Sequence, residues 1–282
     1  MRRWHMNNLF VLVAKEIKDS YRNRWAATAI LVMTALALVL SFIGSAPVGS
    51  TSMSPLTVTV VSLSSLSVFF IPLIALLLSY NSIVGEEERG TLLLLLTYPI
   101  SRIWIALGKY IGQFAILSLA IVFGYGVAAL TVVLTGDHSF FEYGWGIFGK
   151  LILSSVLLGA VFLGIGIFIS SVLKESATAA AWAIATWLVF VVLFDLALLG
   201  LLSSPTASYL PDMVVKWMIL ANPADAYRMF NLATSEDTAL LSGMAGLRSD
   251  QTVSADLMFG VLMAWVVLPI AAFCWTFQRR KI

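Results

Sequence analysis

Residues 83–102, IVGEEERGTLLLLLTYPISR, place three consecutive glutamates, an arginine and a glycine directly between two long apolar segments. A charged side chain at the centre of a lipid bilayer is costly, so such a cluster has to lie at or beyond the membrane surface. If the apolar segments on its two sides cross the membrane, the cluster marks the connection between them. This stretch therefore predicts a multi-span membrane protein whose chain turns back at residues 85–102.

The overall composition supports this prediction. The chain has 282 residues, of which 60% are hydrophobic and only 11% are charged, whereas a soluble domain carries about 25% charged residues. The single cysteine, Cys274, excludes an intramolecular disulfide and a cysteine-cluster metal site. The two histidines, His5 and His138, are too few and too far apart for a histidine-rich metal site. We therefore predict no metal ligands in this chain.

The apolar runs are long enough to cross the membrane as helices. A helix needs roughly 20 residues to cross about 30 Å of hydrocarbon. Six runs meet this length, near residues 25–46, 58–84, 103–135, 147–173, 177–202 and 257–277. They are rich in Leu, Ala and Gly and lack the alternation of a barrel strand, so they predict helices. The predicted fold is an all-α integral membrane protein with six spans, in which residues 25–282 form the transmembrane domain.

The basic residues predict the orientation. With six spans, both termini lie on one side of the membrane together with the loops near 85–102 and 174–176. That side holds 13 of the 17 basic residues: Arg2, Arg3, Lys15, Lys18, Arg22, Arg24, Arg89, Arg102, Lys109, Lys174, Arg279, Arg280 and Lys281. Because Lys and Arg accumulate in cytoplasmic loops, we expect both termini and the 85–102 connection to be cytoplasmic.

The N-terminal residues 1–24 predict a helix that lies on the membrane instead of crossing it. One face of residues 6–24 is apolar and the other is charged. The apolar face contains Phe10, Val13, Ala14, Ile17 and Tyr21, and the charged face contains Lys15, Lys18, Asp19 and Arg22. This pattern is typical of an amphipathic helix in the cytoplasmic interface, with Trp25 as an aromatic anchor.

Residues 203–256 form a long segment on the opposite side, before the last span. The portion MVVKWMILANPADAYRMF, residues 213–230, is amphipathic and predicts short helices resting on the outer membrane surface. A connection of this length is often a contact surface or a lid. We expect a periplasmic partner to contact it through Met213, Trp217, Met218, Asn222, Tyr227 and Arg228.

The connection at residues 85–102 predicts a compact helical hairpin. Gly90 lets the chain change direction, TLLLLLT is too short to cross the membrane, and Pro99 disfavours a helix at Tyr98. A rigid acidic hairpin is a shape that a basic groove on a cytosolic partner could hold. The alternative is a solvated connector.

Residues 85–114, GEEERGTLLLLLTYPISRIWIALGKYIGQF, resemble the segment after the second span of ABC-2-type transporter permeases. The matching positions are Glu86, Glu88, Gly90, Thr91, Leu95, Pro99, Ser101, Arg102 and Lys109. KEIKDSYRNRW at residues 15–25 is similar to the interfacial helix of that family, and NPADAYR at 222–228 to its segment before the last span. Within the family, the five-leucine run followed by YPISR resembles the permeases of nitrous oxide reductase maturation transporters.

The resemblance implies a non-catalytic permease that works as a homodimer in a bacterial inner membrane. No G-x-x-x-x-G-K-[ST] phosphate loop occurs in the 282 residues. ATP and Mg²⁺ would therefore be bound by a separate ATPase chain, with two copies docked on the hairpin and the interfacial helix. The residues implied to couple the ATPase to the spans are Glu86, Glu87, Glu88, Arg89, Gly90 and Arg102.

The narrower resemblance implies a periplasmic role in copper-site maturation of nitrous oxide reductase. The implied partners are a maturation protein (NosD-like) and a copper chaperone (NosL-like), besides membrane lipid and without nucleic acid. Two alternatives stay open at this point: an ABC-2 exporter permease for another substrate, and a passive scaffold for a periplasmic complex.

Asp195 and the methionines are the remaining candidates. Asp195 is the only carboxylate well inside a predicted span and has no evident charged partner there. It is either a functional intramembrane acid or the acceptor of an interhelical hydrogen bond. Seven of the ten methionines lie in outer loops or the last span: Met53, Met213, Met218, Met229, Met244, Met258 and Met263. Thioethers suit Cu(I), but without a tight Met-x-x-Met cluster they favour ordinary packing.

Overall fold

A computed structural model describes residues 2–22, 24–44, 55–98, 100–134, 144–204, 211–232 and 255–280, and within these ranges it contains helices and no strands. The helices, in chain order, are α1 (Arg2–Arg22), α2 (Trp25–Gly44), α3 (Pro55–Ser79), α4 (Val84–Glu88), α5 (Thr91–Thr97), α6 (Arg102–Leu134), α7 (Trp145–Val172), α8 (Ser176–Leu188), α9 (Phe194–Leu202), α10 (Asp212–Leu220), α11 (Pro223–Leu232) and α12 (Ala255–Arg279). A π-helical turn, Val189–Leu193, joins α8 to α9.

Several of these helices are long and apolar enough to cross a membrane. Five stretches qualify alone: Thr59–Glu88, Arg102–Leu134, Trp145–Val172, Ser176–Leu202 and Asp256–Arg279. A sixth is reached if α1 and α2, which meet at an angle of 69°, count as one broken span. The prediction of an all-α integral membrane protein is confirmed. α2 begins at Trp25, so the interfacial segment and the first apolar run separate where the sequence changes from charged to apolar.

The membrane helices pack closely through small residues. α2 packs along α6, and α7 lies between α3 and α12. A Cβ atom added at Gly166 would lie 1.9 Å from Ser79 Oγ, and one at Gly159 would lie 2.8 Å from Leu117 Cδ2. These glycines are therefore required for close approach of the helices, as is usual in membrane proteins. Gly126, by contrast, faces open space.

The two ends of the bundle differ in construction. α6 has 33 residues, about 50 Å at roughly 1.5 Å per residue, which exceeds the thickness of the hydrocarbon layer. Its N-terminal part contacts α1 at Gly108 and Gly112. We call this the hairpin end, because α4 and α5 lie there with α1. The end that carries α10 and α11 is the distal end.

α1 contacts α6 through a face that the apolar pattern did not predict. Leu12 and Glu16 are buried, next to Gly108 and Gly112 of α6. Phe10, Ile17 and Tyr21, on the predicted apolar face, are exposed. An exposed apolar face on a helix that bends away from the spans suits a position in the membrane interface.

Candidate functional site

The hairpin that follows α3 is two short helices joined by a left-handed glycine. α4 ends at Glu88, and Gly90 adopts φ 72° before α5 begins at Thr91. A side chain at Gly90 would meet nothing within 4 Å, so glycine is needed there for its backbone conformation alone. Tyr98 is extended and ends α5. The predicted turn at Gly90 and the short TLLLLLT helix are therefore confirmed.

The start of the hairpin is anchored on the end of α7. The Ser170 Oγ accepts hydrogen bonds from the backbone N–H groups of Ile83, at 2.9 Å, and Val84, at 3.1 Å. The first N–H groups of a helix have no partner within the helix, so this hydroxyl satisfies donors at the beginning of α4. Ile83 and Val84 are fully buried. The hairpin is therefore fixed to the bundle at its root.

Glu86 joins the hairpin to α1 and α6 through a network of four charges. Glu86 Oε1 lies 2.8 Å from Lys109 Nζ and 3.1 Å from Lys15 Nζ. Lys109 Nζ also lies 3.1 Å from Glu16 Oε1. The Lys109 side chain is only 4% exposed, so its charge depends on these carboxylates. We call Lys15, Glu16, Glu86 and Lys109 the four-charge network.

Glu87 and Glu88 make contacts with other parts of the chain. Glu87 forms an ion pair with Arg280, which follows α12. Arg280 also donates a hydrogen bond to the Leu173 carbonyl at 2.7 Å, and its own carbonyl accepts one from Arg102 at 2.6 Å. Glu88 accepts hydrogen bonds from the backbone N–H of Ser176, at 2.7 Å, and from its hydroxyl, at the start of α8. A carboxylate at this position stabilises the N-terminus of the helix.

The three glutamates therefore have partners within the chain, although Glu88 is also exposed, and their role in coupling stays a prediction. Each one contacts a different part of the same chain. The exposed residues of the hairpin are Glu88, Arg89, Gly90, Thr91, Leu93, Leu94, Thr97 and Tyr98. The large apolar side chains among them are Leu93, Leu94 and Tyr98. Of the residues predicted to couple, Glu88, Arg89 and Gly90 are exposed, and Glu86, Glu87 and Arg102 are half-buried. A partner would meet an apolar surface with Glu88 and Arg89 beside it.

Sequence reasoning did not find the residues that hold the glutamates. Lys15, Lys109 and Arg280 enter the sequence argument as topology signals, and Lys109 also as a position that matches the family segment. Neither Glu16 nor Ser176 carries a prediction. The available signal was Lys109, a lysine in an otherwise apolar helix, because a charge there requires an opposite charge nearby.

Asp195 belongs to a second polar cluster, at the distal end. Arg228 Nη2 lies 2.9 Å from Asp195 Oδ2, and Arg228 Nη1 lies 3.1 Å from Asp225 Oδ1. The Asn222 amide donates to Asp225 Oδ2 at 3.0 Å. Asp195 thus has a charged partner, contrary to the expectation from sequence, and the geometry favours its structural role. We call Asp195, Asn222, Asp225 and Arg228 the distal clasp.

The distal clasp is attached to the π-helical turn. The Asn222 amide donates a hydrogen bond to the Phe190 carbonyl at 2.8 Å, and Asn222 Oδ1 accepts one from the Ala224 N–H at 3.0 Å. The clasp therefore connects the start of α11 to the irregular part of the fifth span. The pKa of Asp225 is raised to about 7. Burial is the larger cause, and the neighbouring Asp195 carboxylate adds to it.

The six residues expected to contact a periplasmic partner fall into two groups. Met213 and Trp217 on α10 are exposed, and Met218 is half-buried. Asn222 and Tyr227 are fully buried, and Tyr227 shares a hydrogen bond of 2.9 Å with Ser155. Arg228 is engaged by the carboxylates of the distal clasp. Asn222 and Tyr227 are therefore not available at the surface of this structure. Contact with a partner through Met213, Trp217, Met218 and Arg228 stays a prediction.

The five described methionines of the outer segments and the last span differ in their exposure. Met258 is buried, Met213 and Met263 are exposed, and Met218 and Met229 are half-buried. Met53 and Met244 lie outside the described residues, as do residues 205–210 and 233–254 of the predicted periplasmic segment. The described ranges also contain no group of three or more His, Cys, Asp or Glu side chains that could hold a metal ion.

Comparison with known proteins matches the full chain. The sequence model of the family described as ABC-2 family transporter protein matches residues 10–282. A "Probable ABC transporter permease protein NosY" from Stutzerimonas stutzeri is 38% identical over 275 residues, covering 98% of this chain and 99% of the relative. A protein of the same description from Pseudomonas aeruginosa is 40% identical over 274 residues, covering 97% of this chain and 99% of the relative.

Proposed function

Because this chain belongs to the ABC-2 family of transporter proteins, as a multi-pass ABC transporter permease similar to NosY, we propose that a separate ATPase drives it through the hairpin at residues 85–102. In this proposal the chain is a non-catalytic subunit that binds no cofactor. ATP and Mg²⁺ are bound by the ATPase, of which two copies act on a homodimer of the permease.

The observation that carries this proposal is the set of contacts made by the three glutamates. Glu86 contacts α1 and α6, Glu87 contacts the residue after α12, and Glu88 contacts the start of α8. A force applied to the hairpin would therefore reach most of the bundle and not only the two spans that the hairpin connects. Packed elements of this kind move as units.

The exposed surface of the hairpin is the proposed docking surface. Leu93, Leu94 and Tyr98 are large apolar side chains with exposed fractions of 56%, 65% and 63%, next to the exposed Arg89. We expect the ATPase to offer an apolar groove with an acidic rim, because charge complementarity guides association. The distribution of Lys and Arg supports a cytoplasmic location for this surface and for both termini.

We also propose that the permease serves copper-site maturation of nitrous oxide reductase. The similarity to the NosY permeases over nearly the full chain supports this narrower function. The exposed face of α10, with Met213, Val214 and Trp217, is then the proposed contact for a periplasmic maturation protein (NosD-like). A copper chaperone (NosL-like) is a further partner in this proposal. The protein would reside in a bacterial inner membrane.

Affinity purification of the tagged permease in mild detergent, with mass spectrometry of the recovered proteins, tests the proposal. We expect an ABC ATPase in stoichiometric amount. The variant Leu93→Asp/Leu94→Asp should no longer recover the ATPase. The matched control at the distal end, Met213→Asp/Val214→Asp, should still recover it. This pair of results would support docking on the hairpin.

The same experiment separates the alternatives. Recovery of an ATPase without a periplasmic maturation protein would favour the alternative that the chain is an ABC-2 exporter permease for another substrate. Absence of any ATPase with the wild-type permease would favour a passive scaffold. Normal recovery of the ATPase with Leu93→Asp/Leu94→Asp would contradict docking on the hairpin.

A further inference from the structure

A cavity of about 890 Å³ opens at the hairpin end, between α1, the turn after α3, α5 and the N-terminal part of α6. Its size lies within the range of small-molecule sites, roughly 300–1,000 Å³. We propose that this cavity binds an anionic phospholipid, with the phosphodiester held by Arg22 and Arg89 and the acyl chains on a wall of leucines. This inference goes beyond the proposed function. Arg89 and Leu94 of the proposed docking surface also line the cavity, so lipid binding is tested on the permease without the ATPase.

The charges that line the cavity favour a ligand with one negative charge. The lining contains the four cations Lys15, Arg22, Arg89 and Lys109 and the three carboxylates Glu16, Asp19 and Glu86. Four positive and three negative charges leave a net charge of +1. A phospholipid whose only charge is its phosphodiester would neutralise this excess.

The two arginines are the groups that remain available to the ligand. Lys15 and Lys109 are held by Glu16 and Glu86 within the four-charge network. Among the described residues, neither Arg22 nor Arg89 has an ion-pair partner within 4 Å, and both are exposed. Guanidinium groups bind phosphate oxygens through paired, charge-assisted hydrogen bonds. Both arginines line the cavity and are therefore the proposed ligands of the phosphodiester.

The remaining wall of the cavity suits acyl chains. It contains Leu12 of α1, Leu77 and Leu78 at the end of α3, and Leu94 and Leu95 of α5. The end of α3 is where an apolar span gives way to the charged hairpin, which is the level of lipid headgroups. The exposed apolar residues Phe10 and Ile17 of α1 lie on the same helix as Leu12. A lipid therefore fits the cavity better than a soluble phosphate compound.

Native mass spectrometry of the purified permease, without any ATPase, tests this site. The probes are phosphatidylglycerol, phosphatidylethanolamine and phosphatidylcholine with identical acyl chains. We expect the first phosphatidylglycerol to bind at least about tenfold more tightly than either zwitterionic lipid. All three lipids carry the phosphodiester, but the ammonium group of the zwitterionic lipids cancels its charge, so only phosphatidylglycerol neutralises the net charge of the cavity. Glycerol 3-phosphate, which lacks acyl chains, should not displace it at equal concentration.

The variant Arg22→Gln/Arg89→Gln should bring the preference for phosphatidylglycerol to within about twofold of the other lipids. The matched control is Lys18→Gln/Lys174→Gln, which removes the same charge at exposed positions that do not line the cavity. It should retain the preference. Size-exclusion chromatography of both variants checks that they remain folded.

Four results would overturn the proposal. Equal binding of the three lipids by the wild-type protein would remove the anionic site. If the arginine variant and its control lost the preference for phosphatidylglycerol equally, the preference would come from the overall surface charge and not from the cavity. Displacement by glycerol 3-phosphate would assign the site to a soluble phosphate. A photo-reactive residue at Leu95 that crosslinks to the ATPase, with no lipid recovered, would assign the cavity to a protein segment instead.

Discussion

The Lys109 ammonium lies 2.8 Å from the Glu86 carboxylate, which brings the third span into direct contact with the hairpin that follows the second span. The same Glu86 oxygen also contacts Lys15 of α1 at 3.1 Å. One carboxylate thus joins three helices, at the end of the bundle where we propose that the ATPase docks.

Replacing Lys109 by Met should destabilise the protein strongly. The Lys109 side chain is 4% exposed, and its loss leaves Glu16 and Glu86 buried with only Lys15 to compensate them. Removing one partner from a buried charge network costs about 3–5 kcal/mol. Thermal unfolding in detergent measures the change. Lys18→Met, at an exposed position of α1, should change stability by less than about 0.5 kcal/mol, and an equally small effect of Lys109→Met would contradict the role of the network.

Reversing the charges of Glu87 and Glu88 should lower stability and not only docking. Glu87→Lys places a positive charge beside Arg280, and Glu88→Lys removes the acceptor for the Ser176 N–H at the start of α8. We therefore expect a lower unfolding temperature together with reduced recovery of the ATPase. Leu93→Asp/Leu94→Asp should reduce recovery alone. An unchanged unfolding temperature in the charge-reversal variant would show that these glutamates are not structural.

Gly90 and Gly126 provide a matched test of backbone conformation. Neither has an atom within 4 Å of the position of an added Cβ, but only Gly90 has a positive φ, 72°. Gly90→Ala should cost about 1–2 kcal/mol because the left-handed conformation is unfavourable for alanine. Gly126→Ala, within α6, should be neutral or stabilising by up to about 1 kcal/mol. Thermal unfolding measures the stability of both variants. Equal changes in stability would contradict the left-handed turn at Gly90.

Arg228 should be essential to the distal end. It pairs with both Asp195 and Asp225, and Arg228→Met leaves two neighbouring carboxylates without their cation. We expect a loss of about 3 kcal/mol, typical of an uncompensated buried charge. Asp195→Asn in addition should recover part of this loss by removing one of the two charges. No recovery in the double variant would indicate that the carboxylates do not interact through Arg228.

The stability of the distal clasp should depend on pH through Asp225. Burial and the Asp195 carboxylate raise the pKa of Asp225 from 3.8 to about 7 in the folded protein. The folded state therefore binds this proton more tightly than the unfolded state. The resulting stabilisation is fully present below pH 3.8 and is lost as the pH rises through about 7.

Unfolding temperatures between pH 5.5 and pH 8 measure this dependence. They should fall across the range of about one pH unit on either side of the Asp225 pKa, and Asp225→Asn should remove that part of the slope. An identical slope in the variant would contradict the assignment.

The sequence predicted the helices well because apolar length and local signals determine them. The apolar runs each contain a described helix, and the turn at Gly90 follows from the one residue type that suits it. It did not predict where adjacent glutamates point. Each glutamate contacts a residue far away in the chain. Glu86 contacts Lys15, 71 positions away, Glu87 contacts Arg280, 193 positions away, and Glu88 contacts Ser176, 88 positions away.

The same limit explains the error at the distal end. Arg228 lies 33 positions from Asp195 and was placed in a surface segment, whereas α11 carries it to the side of the fifth span. Periodicity indicates which face of a helix is apolar, but it contains no information about which distant helix packs there. Long-range partners of single charges are fixed by the tertiary arrangement.

Site-specific photo-crosslinking in cells tests docking on the hairpin most directly. A photo-reactive residue at Leu93, whose side chain is 56% exposed, leaves every ion pair of the hairpin in place. We predict a crosslinked product that contains the permease and an ABC ATPase, and no such product from the same residue at Met213 on the distal end. Absence of the product from Leu93, or equal yields from the two positions, would contradict the proposal that the ATPase acts through the hairpin.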